Sequence, residues 1–129
     1  MKGEIMSEFC ELFKTADWKA EKHAPVIEVP EKIVPGEIFH VTASIGKEIP
    51  HPNQPEHFIS WMDVFFHPEG EKFPVNIGKF EFNGHGTPSE VFTHPFVTFA
   101  MKTTKPGKLF ATSYCNIHGL WRGEVDIKF

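Results

Sequence analysis

The chain has 129 residues, a formal net charge of −4, 40% apolar residues and 23% charged residues, which suits one soluble domain with a single core and excludes a disordered or collagenous chain. With no Lys/Arg cluster, it also lacks the basic footprint that nucleic-acid phosphates require. No stretch approaches the roughly 20 uninterrupted apolar residues that cross a bilayer, and the first twenty residues carry several acids and no compact apolar run, so no membrane span and no signal peptide are expected and the expected location is cytoplasmic.

Ile5, Met6, Phe9, Leu12, Phe13 and Ala16 recur at helical spacing, which predicts a short amphipathic helix or turn over residues 7–15 within an N-terminal segment 1–20. From Pro25 onward the pattern changes to short runs punctuated by Pro and Gly. Seven strands are predicted, at residues 26–29, 38–45, 58–66, 75–82, 91–101, 109–114 and 124–129. Fourteen Phe and three Trp, with Val, Ile and Thr spread between turn residues, favour strands over helices. No βα alternation appears. The expected fold is therefore all-β: a seven-stranded antiparallel immunoglobulin-like β-sandwich or barrel of Greek-key type over residues 21–129, in a chain that forms one domain from 1 to 129. The loops at 46–57 and 115–123 hold the most unusual residues, and function is expected on them.

Three motifs carry chemistry. Glu21-Lys22-His23-Ala24-Pro25 sets an acid, a base and an imidazole in a row just before the first strand. In Pro50-His51-Pro52-Asn53-Gln54-Pro55-Glu56-His57, two imidazoles six residues apart share a loop stiffened by three prolines, whose fixed φ angles prearrange the ligands. Tyr114-Cys115-Asn116-Ile117-His118-Gly119 brings a thiol and an imidazole three residues apart, ending in a glycine that permits a tight turn. A cysteine coordinates as thiolate, a state that a metal or a nearby cation makes accessible at neutral pH. Alone, the C-x2-H pattern is weak, because a buried Cys beside an unrelated surface His is at least as common. Four histidines and one cysteine on three loops exceed what chance placement of eight histidines gives. His40, His67, His85 and His94 read as surface or packing residues. Cys10 has no companion, and in a reducing compartment the two cysteines point to a buried thiol and a metal-bound or reactive thiolate, not a disulfide.

The ligand types narrow the metal. Imidazoles suit Zn, Cu, Fe and Ni, and a thiolate adds electron donation. Structural zinc sites are four-coordinate, so five nitrogen and sulfur ligands are too many. A cupredoxin-like copper electron carrier is the alternative. Such sites use two His, one Cys and a weak axial ligand, commonly Met, whereas Gly119-Leu120-Trp121-Arg122 follow His118 with no methionine. The two surplus histidines favour iron.

Glu-Lys-His-Ala-Pro-Val-Ile-Glu at 21–28, Gly-Lys-Glu-Ile-Pro-His-Pro-Asn at 46–53, Glu-His at 56–57 and Ser-Tyr-Cys-Asn-Ile-His-Gly-Leu-Trp at 113–121 together resemble the one-iron superoxide reductases, the neelaredoxin class of the desulfoferrodoxin family. The resemblance covers nearly the whole chain from Asp17. It implies a mononuclear non-haem iron with His23, His51, His57 and His118 in the equatorial plane and Cys115 axial. It further implies Glu21 at the sixth position in the ferric state, Lys22 as the guide for superoxide, reduction of superoxide to hydrogen peroxide, rubredoxin as electron donor, and a homotetramer. The chain departs from the two-iron relatives, since Cys10 cannot build a four-cysteine centre by itself. It also has Phe58 where the family often carries a further His, a position that is not a ligand.

Overall fold

Period-two alternation builds the sheets. In the computed structural model, which describes residues 8–129, the strands are β1 (Pro25–Glu28), β2 (Phe39–Ile45), β3 (Ile59–Pro68), β4 (Val75–Glu81), β5 (Phe96–Met101), β6 (Gly107–Cys115) and β7 (Gly119–Ile127). They form a three-stranded sheet in the order β1-β2-β5 and a four-stranded sheet in the order β4-β3-β6-β7. Every pairing is antiparallel. This is the all-β, two-sheet immunoglobulin-like sandwich that the alternation predicts. Val41 and Ala43 of β2 face Met62 and Val64 of β3 and Leu109 and Ala111 of β6 across a core from which water is wholly excluded. Each Leu or Val so buried is worth about 1.5–3 kcal/mol relative to exposure.

All seven expected strands are present, with shifted ends. The expected segment 91–101 becomes a strand only from Phe96. Its first part is held to the preceding loop instead, through Thr93 N–H donating to the Gly84 carbonyl at 2.7 Å and an isolated pairing of His85 with Phe92. The last strand starts at Gly119 and not at residue 124, because the expected loop 115–123 contracts to a turn at 116–118. Cys115 pairs with Gly119, and the ladder runs unbroken to Gly107 opposite Ile127. Gly119 has φ of +82°, the left-handed conformation in which a three-residue hairpin loop re-enters its strand and which a Cβ would strain.

The N-terminal expectation is met in part. Ile5, Met6 and Ser7 lie outside the described residues, and helix is present only at residues 8–11. Phe9 and Leu12 are exposed, so no apolar face is packed. The chain then adds to the free edge of β7: Lys14 N–H donates to the Leu120 carbonyl at 3.0 Å and Arg122 N–H to the Lys14 carbonyl at 2.9 Å.

β1 lies across β6 and β7 at the end of the sandwich where His23 enters. The approach is close at Gly123, where an added Cβ would stand 2.3 Å from the Pro25 carbonyl oxygen. Both partners there are backbone, so Gly123→Ala must push β1 off the sheet. Overpacking of this kind costs about 1–3 kcal/mol, and G123A is expected to lower the melting temperature by at least about 4 °C. A melting curve identical to that of the parent would show that β1 is free to shift.

Candidate metal centre

The three motifs meet at one end of the sandwich. Cys115 closes β6 with its thiol fully buried, His118 leaves the 116–118 turn, His51 and His57 descend from the β2–β3 connection, and His23 precedes β1. The candidate ligand atoms of His23, His57, Cys115 and His118 all lie within 4.8 Å of one another. His51 joins through its Nε2, 3.4 Å from Cys115 Sγ, with its ring 4.8 Å from those of both His23 and His57. Two ligands on opposite sides of one ion, at about 2.1 and 2.3 Å, stand about 4.4 Å apart. The cluster is thus within a few tenths of an ångström of the span that a single ion bridges.

Hydrogen bonds fix which nitrogen the His23 and His51 rings present. Glu21 Oε2 sits 2.5 Å from His23 Nδ1, so Nδ1–H donates to the carboxylate and Nε2 turns a lone pair toward His118 Nδ1, 3.0 Å away. His51 Nδ1–H donates to the Pro52 carbonyl at 2.6 Å, which frees its Nε2. His57 Nε2 is buried with no hydrogen-bond partner among the described residues. An orphaned buried nitrogen is costly. A cation shared among these lone pairs and the sulfur satisfies all of them, so the residues present fit a metal ion. Such partners of the ring N–H groups are what metal-binding histidines require.

The electrostatics agree. Burial pushes His51 down to about 4, against the Pro52 carbonyl bond, with the charges of His23, His57 and Lys22 lowering it further. Burial likewise lowers His57, helped by His118, His23 and Lys22 and opposed by Glu56. Both are therefore neutral near pH 7, the form that coordinates metal. Cys115 Sγ accepts from His118 N–H at 3.3 Å.

Glu21 and Lys22 differ in placement. Burial raises the Glu21 pKa, but hydrogen bonds from His23 and Ala24 prevail and hold it below the usual carboxylate range. Its Oε1 accepts from His23 N–H at 2.5 Å and Ala24 N–H at 2.9 Å. Both oxygens are thus engaged with residues 23 and 24, and the carboxylate is here a partner of His23. Lys22 is half-buried and makes no ion pair among the described residues.

Of the histidines read as surface or packing residues, His40 and His94 are exposed and His67 bonds the Glu71 carbonyl at 2.8 Å. His85 does more: its ring stacks on Phe58 at 3.7 Å and its Nδ1 lies 2.8 Å from Asn53 Oδ1, buttressing the loop that carries His51 and His57. Trp121, to which the sequence pattern assigns no role, stacks on His23 at 4.9 Å and 11° and donates from Nε1 to the His118 carbonyl at 3.3 Å. Cys10 is exposed and free. No described helix is long and apolar enough to cross a membrane.

The chain is similar to known proteins along most of its length. A family model described as Desulfoferrodoxin matches residues 15–124. The chain is 51% identical over 118 residues to a superoxide reductase of Pyrococcus horikoshii, covering 92% of this chain and 97% of that one. It is 50% identical over 124 residues to a neelaredoxin of Megalodesulfovibrio gigas, covering 92% and 95%. Among solved structures, the reduced superoxide reductase (neelaredoxin) of Archaeoglobus fulgidus superposes with a TM-score of 0.85 at 52% identity, covering 92% of this chain and 99% of that one.

Proposed function

Since the chain belongs to the desulfoferrodoxin family, we propose that it is a superoxide reductase whose single iron is held by His23, His51, His57, His118 and Cys115. The observation that carries this reading is the convergence of four imidazoles and one buried thiol on a volume that one ion can fill. Residues 1–129 then serve as one iron-binding domain, with its site at the mouth of the sandwich.

Reduction of superoxide to hydrogen peroxide takes one electron and two protons. An iron held by these residues would supply that electron by passing from Fe2+ to Fe3+. The four imidazoles and the Cys115 sulfur would hold the ion, with Cys115 as the softest and most electron-donating of the five. Glu21 fixes the tautomer of His23 through Nδ1, and after oxidation its carboxylate would be the nearby anionic group able to join the ligands, as the family resemblance implies. Lys22 supplies positive potential beside the site in a chain of net charge −4, where local charge must draw the anion in. His118 is exposed, so water reaches the centre and delivers the protons. An external protein, rubredoxin on the family's pattern, returns the electron. The working form is a homotetramer in the cytoplasm.

Elemental analysis of the purified protein with its visible spectrum tests the metal. One iron per chain, with an absorption band from thiolate to ferric ion that bleaches on reduction, is the expected result. Stoichiometric copper with intense blue absorbance would replace this reading by a copper electron carrier.

A further inference from the structure

The pairing of β3 with β6 ends at Ile59 opposite Cys115, yet the two chains stay joined one step further through the next residue. Asn116 N–H donates to the Phe58 carbonyl at 3.2 Å. Its side chain Oδ1 accepts from Phe58 N–H at 2.8 Å, and its Nδ2 donates to the Glu56 carbonyl at 3.1 Å. The Glu56 carbonyl and the Phe58 N–H belong to the two peptide groups on either side of the His57 Cα. A single side-chain amide therefore grips both flanks of one candidate ligand while its own backbone follows directly on another, Cys115. His57 is also locked to Gln54 by bonds of 3.0 and 2.9 Å, which leaves its backbone little freedom except as a unit with Asn116.

We infer that Asn116 is a positioning residue of the metal centre: through Glu56 and Phe58 it sets the distance between His57 Nε2 and the Cys115 thiolate. The inference rests on the metal centre proposed above. Only a side chain with a donor and an acceptor on one planar group serves here. Alanine has neither, and Asp retains the acceptor for Phe58 N–H while turning a second acceptor toward the Glu56 carbonyl. Loss of such a supporting contact weakens metal binding by about 10–100-fold.

The test uses the full chain, metal-free and titrated with Co(II) alone. Asn76→Ala is the control, because Asn76 Nδ2 also donates to a backbone carbonyl, that of Val64 within β3, at 3.2 Å, but five residues along the strand from Ile59. Asn116→Ala is expected to weaken Co(II) binding about 10–100-fold, to shift the thiolate-to-cobalt band, and to speed amide exchange at Phe58 in the metal-free protein. Asn116→Asp should fall between parent and Asn116→Ala, and Asn76→Ala should bind Co(II) as the parent does. Parent-like affinity and spectrum in Asn116→Ala, or equal weakening in Asn76→Ala, overturns the assignment. A parent chain that binds no Co(II) overturns the metal centre itself, a result the exchange rate at Phe58 keeps distinct from failure of the clamp.

Discussion

Cys115→Ser is expected to abolish the thiolate-to-ferric absorption and to lower superoxide reduction by at least about 100-fold, since losing a ligand costs more than the 10–100-fold of losing a supporting contact. The thiol is fully buried at the end of β6 and is approached by His51 Nε2 at 3.4 Å, His118 Nδ1 at 3.8 Å and His118 N–H at 3.3 Å. A serine hydroxyl in that place is smaller and protonated at neutral pH, and it lacks the soft, electron-rich sulfur. The β6–β7 ladder does not depend on the side chain, so the variant should remain folded. An unchanged visible spectrum in folded C115S would remove Cys115 from the centre.

The second large effect is kinetic. Lys22→Ala is expected to slow the second-order reaction with superoxide by about tenfold or more, within the 10–10³ range of electrostatic steering, and to flatten its dependence on ionic strength, because the local attraction that salt would weaken is removed with the charge. Iron content should not change, since Lys22 supplies no ligand. Its charge already acts at the site, where it helps to lower His51 and His57. Rapid mixing at several salt concentrations gives both quantities. An equal rate and an equal salt slope in K22A would make Lys22 an ordinary half-buried lysine.

Legibility in the sequence followed the physics of each element. β2 and β3 alternate apolar and polar residues with few interruptions, and the predicted segments match closely. β7 begins earlier than its pattern suggests because Gly123 stands where an inward apolar side chain would otherwise mark the strand; the place is taken by Pro25 of β1. β5 begins later because Val91 and Phe92, apolar yet exposed, turn back on the Gly84–His85 segment. The cysteine and four histidines stood out because such residue types on proline- and glycine-marked loops are hard to explain otherwise. Asn53, His85, Asn116 and Trp121 did not. Asn is an ordinary turn residue, and the worth of Asn116 or Trp121 lies in partners 58 and 98 positions away in the chain, Phe58 and His23. Only the CNIH and HGLW stretches hinted that the neighbours of the ligands are themselves part of the centre.

Reduction and disproportionation of superoxide leave different products. The most direct measurement is the yield of hydrogen peroxide when the iron-loaded, prereduced protein meets a limiting pulse of superoxide without oxygen. A superoxide reductase gives one peroxide per superoxide consumed, with one ferrous centre oxidised for each and no oxygen evolved. One peroxide for every two superoxides, with oxygen released and the iron still reduced, would contradict the proposed reduction.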